Sequence, residues 1–536
     1  MPARSATRLA PAVPGTVEGE SERPAWFWLL LWCLFVLGVQ PWSSRVAAPQ
    51  GTTGSTNSIA KGLLLGAVFL VALAATKPGF RTRVNPASWL YVMYVLFACA
   101  TAFLLAEPMG PLTRLARFLI GLLLIFLLWR PLVQVPERLV RAHLWAHLLL
   151  AATVVLSLAY APSEAWRPLR TLGAGYRLQG VIIPMLPPRV GEVGAILLGL
   201  ALIGLVCRKI ATLPAVTLIG LGGVLIAASR TRTSAAALAF GLVVALIITR
   251  KTWTGRILSF AVPGLIGLAF LTIGSLHTWL LRGQGTQQIT SLSGRTTSWQ
   301  AVLDEKVSLQ TAIIGHGLGN KRVLLRRGEG DIDVMAIDNS WLGLYWETGL
   351  LAVTIVGVAV IIAWVSVLRA PTPYIRACGA LLLGYVTAAS LNESGLSDLS
   401  SMTVHLLVAA AICDADRLRQ RTNERTNETA DQKRDIRRRR GWPGRSAAAD
   451  RPPSRAQWFR LGSPSRGTWL SPRHQNPRLD VLGAPRFSGM GAGGVRVAVS
   501  WGWSSSWSLS PGRSPFVAIR ARSGTCRRTR SGPGCR

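Results

Sequence analysis

Negative charge is scarce in this chain. Its 24 acidic residues stand against 59 basic ones over 536 positions, giving a net charge of +35. Such a balance suggests nucleic acid, but its distribution excludes that reading. More than half of the excess lies beyond Asp416, and much of the rest sits in short loops beside apolar runs. Cysteine is also sparse. Five of the seven, Cys33, Cys99, Cys207, Cys378 and Cys413, lie within apolar runs, where cysteine packs as a small hydrophobe. No cysteine spacing suggests a disulfide framework or a metal site. A clean leader is missing as well: the first apolar run starts near Ala25 and no Ala-x-Ala site follows promptly, so it reads as a first span. The alternating pattern of a membrane β-barrel is absent.

What the chain does have is apolar length. Half of its residues are hydrophobic, and roughly a dozen uninterrupted runs approach the ~20 residues that a helix needs to cross a bilayer. The expectation is an all-α, polytopic helical membrane protein with about 12 transmembrane helices, at 25–40, 59–75, 87–106, 115–133, 139–161, 190–207, 211–228, 233–249, 257–276, 348–368, 375–391 and 400–413. Alternate loops carry Lys77, Arg81 and Arg83, then Arg130 and Arg138, Arg208 and Lys209, Arg250, Lys251 and Arg256, and Arg369 and Arg376. The positive-inside tendency puts those loops in the cytoplasm, with both termini. The divisions are then a cytoplasmic tail at 1–24, nine helices over 25–276, one large extracytoplasmic loop at 277–347, three helices over 348–416, and a basic cytoplasmic tail at 417–536.

That tail has two parts. Up to Arg440 it is polar, charged and compatible with a helix. From Gly441 it is rich in Arg, Pro, Gly, Ser and Trp and contains neither Lys nor Glu. Two readings stay open: a disordered basic tail touching anionic lipid, or the out-of-frame product of a GC-rich gene.

Several external loops keep arginines against the topological tendency. Ser229-Arg-Thr-Arg232 joins two apolar helices. Arg230, with Arg232 beside it, is either an interfacial anchor whose stem snorkels or a clamp whose planar guanidinium fits phosphate oxygens. Gly175-Tyr-Arg-Leu-Gln-Gly180 precedes Pro184, Pro187 and Pro188, which favour irregular or re-entrant backbone. Its Arg177 is an ordinary loop residue or approaches the same anion. Arg189 and Glu192 at the next span are weaker candidates. An amphipathic helix is expected over about Thr296 to Val307, with Arg295 at its start either structural or facing phosphate.

Gly315-His-Gly-Leu-Gly-Asn320 permits a tight turn and close backbone approach to a ligand. It lacks the Lys-Ser/Thr ending of a phosphate-binding P-loop, so ATP is not expected there. His316 is a titratable candidate or a structural turn residue. Asp338-Asn-Ser-Trp-Leu342 leads into a span that also carries Glu347. Asp338 either caps that helix or accepts a proton from an attacking hydroxyl, if the transfer is concerted with loss of a stabilised leaving group.

In their order and placement these segments resemble the O-antigen ligase and Wzy-type polymerase superfamily of bacterial envelope glycan enzymes. The carriers are Tyr176–Gly180, Ser229–Thr231, Ser293–Trp299, Gly315–Gly319, and Asp338–Leu342 followed by Gly349. The resemblance covers about Leu63 to Asp416. It implies a glycosyltransferase in the bacterial inner membrane that needs neither metal nor cofactor and works on the extracytoplasmic face. Its donor would be a polyisoprenyl-diphosphate-linked glycan and its acceptor a glycan or lipid hydroxyl, among membrane lipids and without nucleic acid. The family's diphosphate-binding arginines match Arg177 and Arg230, with Arg232 and Arg295 as further candidates. Asp338 stands where many members have histidine, and Glu347 and His316 are second-rank helpers. The rivals are a transporter or flippase of lipid-linked glycans, which predicts charged residues within facing spans, and a non-catalytic assembly scaffold.

Overall fold

The computed structural model describes residues 23–40, 56–76, 85–105, 108–133, 135–168, 176–249, 295–327 and 331–440. The expected span at 257–276, the first part of the large loop and the tail from Gly441 lie outside the described residues.

The described chain is mostly helical. Its first helices are α1 (Ala25–Val39), α2 (Thr56–Ala75), α3 (Pro86–Ala102), α4 (Met109–Val133) and α5 (Pro136–Tyr160). After the short α6 (Pro162–Ala165) come strands β1 (Trp166–Pro168) and β2 (Tyr176–Leu178), then α7 (Pro187–Val206), α8 (Thr212–Ser229) and α9 (Arg232–Thr249). The next described elements are α10 (Arg295–Asp304), α11 (Leu309–Ile314), β3 (Arg322–Arg327) and β4 (Asp331–Ala336). Helices α12 (Ser340–Leu368), α13 (Pro373–Ala389) and α14 (Ser401–Arg440) complete the series. Proline opens α3, α5, α7 and α13, where its missing N–H costs nothing.

Among the described residues, six helices are long and apolar enough to cross a membrane: the Met109–Trp129 part of α4, α5, α7, α8, α9 and α12. Helices α1, α3 and the Ile59–Ala75 part of α2 are apolar but shorter. Leu213, Val216 and Val224 on α8 and Leu350, Val358, Ile361 and Leu368 on α12 are exposed. Apolar side chains facing outward over whole helices fit a lipid surround.

Helices α7 and α13 and the first thirteen residues of α14 are central. Residues 401–413 are buried without a break. Helix contacts there rest on small residues, as they must where lipid offers no hydrophobic drive between helices. A Cβ on Gly194 would meet the Gly222 carbonyl at 2.7 Å, which fixes α7 against α8. A Cβ on Gly384 would meet Gly241 Cα at 2.8 Å, which does the same for α13 and α9.

The only strands among the described residues form two antiparallel hairpins. β1 pairs with β2 (Arg167 opposite Arg177), and β3 with β4 (Arg322 opposite Ala336). The prolines after Gly180 announced irregular backbone, and the chain there does turn, with Gly180 bridged to Met185. A helix forms where an amphipathic one was expected over 296–307, as α10; it ends at Asp304, and it buries Ser298 and Val302 while Leu303 of the expected apolar face is exposed. Loop was expected up to residue 347, but Asn339 caps α12 and the helix begins at Ser340.

Candidate functional site

The polar site gathers where α8 ends and α9, α12 and α14 begin. Arg177 on β2 reaches the α8–α9 turn: its Nε donates to the Ser229 carbonyl at 2.9 Å and its Nη2 to Thr231 Oγ1 at 3.3 Å. Thr231 Oγ1 in turn donates to the Pro187 carbonyl at 3.1 Å, tying the turn to the start of α7. Arg230, the residue held between these anchors, closes α8 in a left-handed conformation (φ 50°, ψ 41°). That conformation is uncommon for a residue with a Cβ and persists only where the surroundings fix it.

Burial pulls the Arg177 guanidinium down to about 10, with Glu393 opposing and the like charges of Arg167, Arg232 and Arg230 adding to the fall. Arg232 also feels Arg295. Arg177, Arg230, Arg232 and Arg295 therefore belong to one cationic neighbourhood. Arg295 Nε lies 3.4 Å from Asp338 Oδ2, so the candidate base sits at the edge of that neighbourhood, with its side chain 44% exposed.

Of the two expected roles for Asp338, the cap on α12 belongs to its neighbour Asn339. Asn339 Oδ1 accepts from the N–H groups of Trp341 (2.9 Å) and Leu342 (3.1 Å), and the Asp338 carboxylate turns to Arg295 instead. Asn339 and Ser340 also hold the loop after α13. Asn339 Nδ2 donates to the Leu391 carbonyl at 3.1 Å and Ser340 Oγ to the Glu393 carbonyl at 2.6 Å. That staple brings Glu393 into the electrostatic range of Asp338, Arg295 and Arg189. Burial raises the Glu393 carboxyl above its ordinary range, against the pull of Arg189 and Arg295. A lone glutamate in a short loop gives no signal in sequence, and it was not among the expected site residues.

Glu347 and His316 form a separate arrangement. The glycine loop closes on Glu347 rather than on open space: Gly317 N–H donates to the Glu347 carbonyl (2.9 Å) and Gly319 N–H to its Oε1 (2.7 Å). Glu347 is wholly buried. The His316 ring stacks on Trp346 with centroids 3.8 Å apart, and its Nε2 is 4.0 Å from Glu305. These contacts shape the glycine loop around both residues. Beside it lies a second charged group absent from the sequence reading. Burial would raise the Asp398 carboxyl, but Lys321, Arg114, Arg117 and Lys61 outweigh it and hold the group below its usual range.

A third polar group lies inside the helical core. Arg189, Glu192, His405, His143 and His147 form a continuous series on α7, α14 and α5. The available sequence signal was the His143/His147 pair four residues apart and the lone Glu192 in an apolar span. No protein-family model matches the chain, and no curated protein is significantly similar to it in sequence.

Proposed function

We propose that this chain is a membrane glycosyltransferase of the O-antigen ligase or polysaccharide polymerase type. It transfers a polyisoprenyl-diphosphate-linked glycan to a glycan or lipid hydroxyl outside the bacterial cytoplasmic membrane. The observation that carries the reading is the convergence of Arg177 on the Arg230 turn, with Arg232, Arg295 and Asp338 in the same neighbourhood. About twelve spans with the 162–189, 229–232, 277–347 and 392–399 segments on the extracytoplasmic side would set that neighbourhood at the lipid–water boundary, where a lipid diphosphate resides.

In this reaction the acceptor oxygen forms a bond to the anomeric carbon of the donor. The bond from that carbon to the phosphate oxygen breaks, and its electron pair leaves on the diphosphate. Asp338 takes the hydroxyl proton as the bond forms. Arg230 and its neighbours stabilise the charge that develops on the leaving group. Arg177 serves by binding the turn that presents Arg230. The test is Arg230→Ala and Asp338→Ala at constant protein level, read by surface polysaccharide on a gel. Loss of the polymer or of its attachment is expected, and an unchanged ladder in both variants removes the mechanism.

The transporter reading gains one observation: ionisable side chains of α5, α7 and α14 meet inside the core. Glycan transfer by the purified protein in liposomes without any ion gradient separates the two, because a transporter makes no product there.

A further inference from the structure

His143 and His147 lie one turn apart on α5, so both rings leave the helix on the same face. His405 comes from α14 and meets them. The ring centroids are 4.5, 5.0 and 5.3 Å apart, and one nitrogen from each ring lies within 4.8 Å of the other two. All three side chains are buried.

Two of the three rings have their tautomers set by an outer partner. His147 Nδ1 is 2.8 Å from the His143 carbonyl, which can only accept, so Nδ1 carries the hydrogen and Nε2 keeps a lone pair. That Nε2 is buried with no hydrogen-bond partner. His405 Nε2 is 3.1 Å from Glu192 Oε1, and Arg189 lies 2.6 Å from the other carboxylate oxygen. The carboxylate takes the Nε2 hydrogen and leaves a lone pair on His405 Nδ1. Opposite that atom, at 2.9 Å, is His143 Nε2. Backbone carbonyls and carboxylates behind imidazoles are the outer partners that metal-binding histidines use.

We infer that His143, His147 and His405 form a three-histidine site for a divalent transition-metal ion of the zinc type. A purely packed trio leaves His147 Nε2 and His143 Nδ1 as buried polar atoms with no hydrogen-bond partner, which is unfavourable. An ion held by His147 Nε2, His405 Nδ1 and His143 Nε2 satisfies the first of these. It requires the His143 hydrogen to move to Nδ1. Two zinc-bound nitrogens at about 2.0–2.1 Å from the metal sit about 3.3 Å apart in a tetrahedron. The 2.9 Å pair must therefore open slightly and His147 must swing inward. Three imidazoles and no inner carboxylate suit zinc, cobalt, nickel or copper and reject magnesium and calcium. The ion would tie α5 to α14 inside the core, independently of the transfer reaction.

The experiment uses the full chain, purified in detergent and stripped with a chelator, then titrated with Zn2+ and separately with Co2+. One ion per chain is expected, with the visible absorption of tetrahedral cobalt and imidazole scattering in X-ray absorption at the zinc edge. His147→Gln and His405→Gln should each weaken Zn2+ binding more than tenfold, and Glu192→Gln by about 10–100-fold. If a variant does not fold, the wild-type spectra decide alone. No ion in the wild-type protein, oxygen-only scattering, or full binding by both histidine variants overturns the site.

Discussion

Replacing Gly349 with alanine tests the crossing that builds the glycine loop. Gly349 (φ 77°, ψ −178°) interrupts α12, and Gly315 (φ 77°, ψ −172°) ends α11 in nearly the same conformation. Only glycine occupies that region readily, and a side chain there costs about 1–3 kcal/mol. Space adds to the strain. A Cβ on Gly349 would run into the Ile313 carbonyl and lie 2.6 Å from Ile314 N, while one on Gly315 would meet the Glu347 carbonyl. These are backbone atoms and cannot rotate away, so overpacking adds about 1–3 kcal/mol more. The expected loss is about 2–6 kcal/mol, read as a fall of several degrees in the melting temperature of the detergent-solubilised protein. Gly343→Ala on the same helix is the control. Nothing lies within 4 Å of its Cβ position, and alanine favours a helix by about 1 kcal/mol over glycine. Gly315→Ala should resemble Gly349→Ala, and the double variant should lose less than the sum, because one local opening relieves both clashes. A Gly349→Ala melt level with that of Gly343→Ala would refute the crossing.

Asn339→Ala should cost about 1 kcal/mol by removing the cap on α12, measured by the same melt; an unchanged midpoint contradicts the cap. Arg177→Lys should lose the double contact to Ser229 and Thr231, since an ammonium has no planar fork. Protease cutting near the α8–α9 turn should rise, and equal cutting argues against the anchor. Asp398 has its carboxyl held below the ordinary value, so it stabilises the fold fully above about pH 4 and loses that contribution as pH falls further. Asp398→Asn should therefore lower the melting temperature at pH 7 and converge on wild type toward pH 3. A constant gap across that range would deny the electrostatic cause.

The apolar helices were legible because an uninterrupted run needs no partner to declare itself. Observed boundaries for α5, α7, α8 and α9 fall within a few residues of the expected ones. Arg177, Arg230, Arg232 and Arg295 stood out because each lies in a polar segment or at a helix start beside apolar runs, but the sequence did not show which of them meet. The β1–β2 and β3–β4 hairpins were not, since three-residue strands and the charged Arg322–Arg327 run carry no alternation long enough to read. Nor was the embrace of Glu347 by Gly317 and Gly319, for which the sequence offers only a flexible loop and a distant carboxylate. His405 lies far along the chain from His143 and Glu192, and only the fold, which sets α14 against α5 and within hydrogen-bond reach of Glu192 on α7, joins them.

Helix α14 does not stop where its buried part ends. Asp416 fastens it to Thr372 through two hydrogen bonds of 2.9 and 2.8 Å, and residues 419–436 are exposed on every side. At 1.5 Å per residue, Arg440 stands about 36 Å from that fastening. Physiological salt screens charge within about 8 Å. Charge added or removed at the far end of this mast should therefore leave the groups at its root unchanged.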